Sequence, residues 1–365
     1  MNSAGTGFRE GARVILAITL KDCLDAVRDR KLLPVFAAVL LMIAFFRLSP
    51  GLRNGDTWTL AVVDPGGAPV LDRWADSGQF DLHRFSSQQE MEFFLGGEDI
   101  PVLGLVLPPD YGQRVADEAS LELDGYVDHW VSDSDAEEIQ SVFETQLSAL
   151  TGRPVRINVD NEIAFTHPRG FKPVTTSFLM VYALVITGLM VAPNLMIEEK
   201  ELRTMDALLI SPASVGQIVI AKALTGLVYC LAAGGLVMAA SAPLVVHWDL
   251  AILAIIGGSL FTVAVGLLLG VTLNSRQQLI IWSAVLMFPL FIPVIASEIL
   301  PDIQAPDLVQ QVVSLVPTVP VAEATRWALS GQFPWTEILT GLAVTVTCAI
   351  ALLIAVAWVV RRSDR

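Results

Sequence analysis

Residues 197–212 read IEEKELRTMDALLISP. This short, heavily charged segment lies between two long apolar runs. Residues 174–196 before it carry no charge, and residues 218–246 after it carry only Lys222. A bilayer interior offers no water to exposed peptide groups, so runs of this kind cross as helices whose backbone bonds close internally. Two spans joined by a charged helical loop define an α-helical polytopic membrane protein. Such a loop is where a membrane protein can be pushed from the cytoplasm.

Composition agrees with this reading. Of 365 residues, 53% are hydrophobic and only 16% charged, with a mean hydropathy of +0.59. Soluble domains are nearer ~25% charged. The net charge of −14 is local, because residues 50–172 hold 8 Lys and Arg against 22 Asp and Glu. The acidity belongs to one inserted domain. No basic stripe is present to neutralise phosphates, which argues against nucleic acid as a partner.

Working outward, six transmembrane helices are expected at 32–46, 174–196, 218–246, 250–273, 279–297 and 338–360, near the ~20 residues a crossing needs. The first is short, and without a small-x-small cleavage pattern it reads as a retained anchor. Arg9, Arg13, Lys21, Arg28, Arg30, Lys31, Lys200, Arg203, Lys222, Arg276, Arg361, Arg362 and Arg365 all fall on one side of these spans, whereas the loop 247–249 has no Lys or Arg. The positive-inside rule then makes both termini cytoplasmic, in the cell inner (plasma) membrane. The expected organisation is a cytoplasmic amphipathic leader (1–31), a first transmembrane helix (32–49), an inserted α/β extracytoplasmic domain (50–172) and a five-helix transmembrane domain (173–365). The last contains the cytoplasmic loop 197–217 and an external re-entrant or interfacial segment, 298–337.

Local patterns fill in this frame. In the leader, Ile15, Ile18, Cys23, Val27 and Leu32 suit a helix lying along the cytoplasmic surface. The outer domain shows strand-like runs at 58–64, 102–107, 121–123 and 155–159. Helix-like runs lie at 70–74 and 88–95, then up to Val115, and at 134–150 with Ser134 as N-cap. About 120 residues in this pattern can bury their own core; the strand order stays open. In the external segment Leu308, Val309, Val312, Val313 and Val316 form an apolar face that Pro317 and Pro320 break. A second piece runs from 321 to 329. Both are too short to cross and read as helices dipping into or lying on the outer leaflet.

The chemistry on offer is sparse. His83, His129, His167 and His247 are dispersed outside the spans, so no metal centre is expected. Asp124, Asp128, Asp133 and Asp135 read as a solvated acidic surface, and Cys23, Cys230 and Cys348 as isolated fillers. Hydroxyls inside spans normally bond neighbouring helices. Asn194 beside Pro193, with Thr187 and Ser283, forms the candidate substrate path, and Gly266 and Gly270 allow close helix approach. If the loop is helical, Leu202, Met205, Leu208 and Leu209 share one face, and Glu199 and Arg203 pair at i,i+4. An exposed apolar stripe of this kind wants a partner surface.

The phrase EEKELRTMDALLISPASVGQIVIAK (198–222) resembles the signature of ABC transporter permeases of the type-2 exporter superfamily. That signature has an acidic start, a Gly-Thr-Leu/Met-Glu core, a Ser/Thr-Pro stop and a Lys entering the next helix. Arg203-Thr204-Met205-Asp206 stands at the core here. KDCLDAVRDRKLL (21–33) and the proline-rich 315–327 are similar to that group too, and the large external domain is similar to its sodium-extruder-like branch. The resemblance implies a permease subunit of an exporter whose loop docks on a cytoplasmic ABC ATPase through Glu198, Glu199, Glu201, Leu202, Arg203, Met205 and Leu208. It also implies a second permease copy, identical or not, in a dimer surrounded by membrane lipids. The chain has no G-x-x-x-x-G-K-[ST] to cradle phosphates, so it carries no cofactor, and ATP and Mg belong to the partner ATPase. A bare-ion path usually shows membrane-embedded carboxylates, which the spans lack; a lipid-like or amphipathic substrate is favoured over an ion. The alternative is a membrane-anchored sensor or assembly factor with a ligand-binding outer domain, which leaves five further spans unexplained.

Overall fold

The chain begins with two helices, α1 (Ser3–Arg28) and α2 (Leu33–Leu48). A mixed domain follows: β1 (Trp58–Val63), α3 (Val70–Asp76), β2 (Phe80–Phe85), α4 (Gln88–Leu95), β3 (Val102–Val106), α5 (Tyr111–Asp117), β4 (Leu121–Asp128), α6 (Asp133–Thr151) and β5 (Val155–Ile163). Then come α7 (Phe171–Glu201), α8 (Val215–Ala240), α9 (Trp248–Thr272), α10 (Arg276–Asp302), α11 (Asp307–Ser314), α12 (Thr318–Trp327) and α13 (Trp335–Ser363). The structure is a computed structural model that describes residues 3–28, 33–48, 58–66, 70–76, 80–98, 100–117, 120–163, 171–201, 215–303, 305–331 and 334–363.

Among the described residues five helices are long and apolar enough to cross a bilayer: Lys172–Glu198, Gly216–Ala240, Trp248–Thr272, Arg276–Leu300 and Trp335–Val360. The sixth expected span is different. Its apolar stretch, Leu33–Phe46, rises only about 21 Å at 1.5 Å per residue, against a hydrocarbon core of ~30 Å. Helix α7 is the hub and packs against α8, α9, α10 and α12. Helices α10 and α13 keep broad apolar faces outward, including Ile280, Trp282, Phe288, Ile354 and Trp358. That is the inverse of a soluble bundle and suits a hydrocarbon solvent.

Chain direction gives the bundle two ends. The roots of the charged loop, α1 and the end of α13 share one, the connector end; the sheet domain, the α8–α9 turn, α11 and α12 share the other, the domain end. Leader helix α1 packs on α8, with Ile15, Ile18 and Cys23 half-buried; Leu32 and the side chain of Val27 lie outside the described residues. The expected apolar face is therefore turned inward, while Leu16, Leu20 and Leu24 form a second, exposed stripe. Of the two short helices between α10 and α13, α11 exposes Leu308, Val312 and Leu315 as a surface helix would. Helix α12 instead is enclosed from Thr318 to Ala322 and from Ala324 to Arg326. Its ends are satisfied by protein, as backbone at that depth requires: Thr345 Oγ1 donates to Pro317 O, and the amides of Val246 and His247 donate to Ala328 O.

The sheet order is β2-β1-β3-β4-β5, parallel throughout except for the antiparallel β3–β4 pair. Both faces are covered. Leu60, Val62, Leu103 and Leu105 meet Trp74, Tyr111, Phe143 and Leu147 on one face. Ala61, Val63 and Val102 meet Met91 and Leu95 on the other. Each such large apolar side chain contributes about 1.5–3 kcal/mol when fully buried. Strand β2 is absent from the expectation because its alternating charged residues (FDLHRF) suit an edge and give no apolar run; β4 and β5 are longer than their apolar cores implied. The cap of α6 is Ser132, whose Oγ accepts from the Asp135 amide, not Ser134. Its last turn closes on Gly152 at φ 69°, the left-handed conformation that suits glycine. The domain touches the bundle through His129, whose ring bonds Leu244 O, and through Trp130, over whose ring Lys172 sits.

Candidate coupling site at the connector

The core of the charged loop, residues 202–214, lies outside the described residues, and with it Leu202, Arg203, Met205 and Leu208 of the expected dock. Glu198 is half-buried near the end of α7; Glu199 and Glu201 belong to the same last turns by backbone. The structure describes what holds the two roots of the loop, and both are lysines.

At the first root Lys200 Nζ donates to Gly270 O at 2.9 Å, Val271 O at 2.8 Å and Leu273 O at 2.9 Å. These belong to the C-terminal end of α9, where the last carbonyls have no intrahelical donor and the helix dipole leaves partial negative charge. An ammonium has three donors, and here all three are used. Burial pulls the Lys200 pKa below its ordinary value. The last turn of α7 is thereby fixed to the end of α9.

At the second root Lys222 Nζ meets Asp22 Oδ2 at 2.7 Å, with only 2% and 8% of the side chains exposed. Asp22 lies on α1, so the pair clamps the leader to α8. Two further bonds flank it: Thr19 Oγ1 donates to Ala221 O at 3.3 Å, and Tyr229 OH to Cys23 O at 2.7 Å. A buried pair of this kind adds little net stability over apolar packing. Removing one partner is costly because it strands a charge.

Behind the first root, α7 contains Pro193, which lacks the amide that would bond Leu189 O. Ser283 Oγ of α10 donates to that carbonyl instead, at 3.4 Å. Asn194 Nδ2 donates to Met190 O within its own helix. Thr187 is fully buried, and its hydroxyl has no hydrogen-bond partner among the described residues. Of the three candidate path residues, Ser283 and Asn194 serve the backbone of α7, and only the Thr187 hydroxyl is uncommitted. A Cβ at Gly266 of α9 would lie 2.1 Å from Gly188 O, so only glycine permits this approach of α9 to α7. The sequence signalled Lys200 and Lys222 only as loop charges. Their partners are 70 or more residues distant, and no local pattern marks them.

A bundle of long apolar helices with a short charged connector anchored at both roots defines an integral membrane protein. The sequence profile described as ABC-2 family transporter protein matches residues 32–358, and the chain belongs to that family. No curated protein matches the chain. The family is one of membrane subunits that work with an ABC ATPase.

Proposed function

We propose that this chain is the permease subunit of an ATP-driven exporter. Residues 202–214, with Glu198, Glu199 and Glu201, dock on a cytoplasmic ATPase that holds the ATP and Mg. The observation carrying this reading is that both roots of the loop are tied by lysines, the half-buried Lys200 to α9 and the buried Lys222 to α1. A push on the loop therefore moves four helices, α7 with α9 and α8 with α1, rather than bending a free connector. Helix α2 supplies a sixth crossing where the bilayer thins locally, which puts the sheet domain outside and both ends of the chain in the cytoplasm. Two permease copies, the same or different, flank the exit route in the inner membrane. The cargo is amphipathic or lipid-like, in keeping with spans whose uncommitted polar groups are hydroxyls.

The test is co-purification with the ATPase. E199K/E201K abolishes capture of the ATPase, whereas Lys200→Met keeps capture but lowers stimulated ATP hydrolysis at least tenfold. Retained capture and transport in the double charge reversal refutes the docking role. Normal hydrolysis in the Lys200 variant refutes the lever.

A further inference from the structure

At the domain end, α10, α11, α12 and the first turn of α13 enclose a cavity of about 370 Å³. Its wall holds Glu298, Glu323, Glu337, Arg326, Gln310 and Gln311. Arg326 and Glu298 form an ion pair, so these two charges cancel. Glu323 lies one turn before Arg326 on α12 and has no hydrogen-bond or ion-pair partner among the described residues. Burial, with the Glu337 carboxylate adding repulsion, pushes the Glu323 carboxyl above the usual carboxylate range. Two carboxylates thus face the cavity without a counter-charge, Glu323 half-buried and Glu337 exposed. A carboxylate in that position gains from any cation that can reach it.

Size and shape select the kind of cation. A single water-sized occupant needs about 30 Å³, whereas this volume falls in the ~300–1,000 Å³ range of small-molecule sites. No group of three His, Cys, Asp or Glu side chains among the described residues is arranged to hold a metal ion. Beside Ser297 and Ser314, the rest of the wall is apolar, including Val313, Val319, Trp327 and Ile338. Just outside, α11 turns Leu308, Val312 and Leu315 outward, 75%, 64% and 61% exposed, as a helix at a bilayer surface does. An occupant with a cationic head and an apolar body matches every wall.

We propose that this cavity binds an ammonium-bearing amphiphile, its head between Glu323 and Glu337 and its chain against Trp327 and Ile338. The ammonium arrives either on a lipid headgroup or on a free amphiphilic amine. The site follows from the cavity itself and stands or falls apart from the ATPase partnership.

Calorimetric titration of the full chain in phosphatidylglycerol nanodiscs, with empty-disc subtraction, tests this using octylamine and octanol as probes. Octylamine binds saturably and octanol does not. Glu323→Gln weakens octylamine at least tenfold, Glu337→Gln at the exposed rim about threefold, and Glu122→Gln on the distant sheet leaves it unchanged. Binding weakens as pH falls through the elevated Glu323 pKa. The other charged groups facing it are Glu298 of α10, Arg326 of α12 and Glu337 of α13, while α11 lines the cavity with the uncharged Gln310, Gln311, Val313 and Ser314. Competition by added phosphatidylethanolamine identifies a headgroup as the natural source, and lack of competition identifies a free amine; both sustain the site. Equal binding of octanol, unchanged octylamine affinity in Glu323→Gln, or no saturable signal overturns it. Should Glu323→Gln fail to fold, the two-probe comparison and Glu337→Gln decide alone.

Discussion

Replacing Lys222 by Met removes one half of the buried pair that clamps the leader. At 2.7 Å and an effective dielectric of about 20, the gross attraction is ~6 kcal/mol. Desolvation of both groups offsets much of that, but stranding Asp22 at 8% exposure costs about 3–5 kcal/mol. The strain is relieved most cheaply by lifting α1 away from α8, where the other ties of α1 include the bonds of Thr19 and Tyr229 and a half-buried face. At 1.4 kcal/mol per factor of ten, opening of α1 rises roughly 140- to 3,700-fold. Cys23 reports it directly. Its thiol is half-buried, with a pKa raised first by burial and further by the Asp22 charge. In a Cys348→Ala background, with Cys230 fully buried, the rate of maleimide labelling at Cys23 should rise by two orders of magnitude or more. Adding Asp22→Asn should recover most of the protection, because a neutral amide is no longer a stranded charge. A labelling rate within threefold of wild type in Lys222→Met refutes the clamp.

Three further outcomes follow from other parts of the structure. Tyr111 is buried, its pKa is pushed up to about 12 by desolvation, and its hydroxyl has no hydrogen-bond partner among the described residues; Tyr111→Phe should leave stability unchanged or raise it by up to about 1 kcal/mol in denaturant titration, and a loss above 1 kcal/mol argues for an unseen partner. Gly266→Ala drives a methyl into Gly188 O, so the thermal midpoint should drop by several degrees while a substitution at Gly235, whose Cβ meets nothing within 4 Å, costs only its helix-propensity difference. Because the Glu323 pKa is raised in the fold, its stabilising contribution is complete below the ordinary carboxylate pKa and is lost as pH rises through the folded value. Wild type should therefore gain stability relative to Glu323→Gln on acidification from pH 8 to 5, and parallel pH profiles would contradict this.

The helices that cross were plain in the sequence because twenty apolar residues have few other fates. The same logic located β1 and β3, whose continuous buried runs sit at the centre of the sheet. What local pattern did not reveal shares one property: its partners are far apart in the chain. The Lys222–Asp22 pair, the Lys200 cap on α9 and the Arg326–Glu298 pair each join residues tens to hundreds of positions distant. Strand β2 escaped notice for another reason, since an edge strand needs no unbroken apolar run. Ser283 illustrates a third case. It reads as a polar side chain available for a path, yet its hydroxyl is taken up by the carbonyl that Pro193 releases on another helix. The loop itself was legible as chemistry, and its two anchored roots only as geometry.

The 200-residue separation between Asp22 and Lys222 also constrains biosynthesis. At about 5–20 residues per second, a ribosome takes roughly 10–40 s to make the lysine after the aspartate has emerged. During that interval the nascent leader holds an acidic side chain with no cation waiting on α8, so it rests in the aqueous headgroup layer. Its attachment becomes a late event that depends on α8 having inserted, and a prematurely terminated chain ending before position 222 would leave the leader undocked and open to proteases.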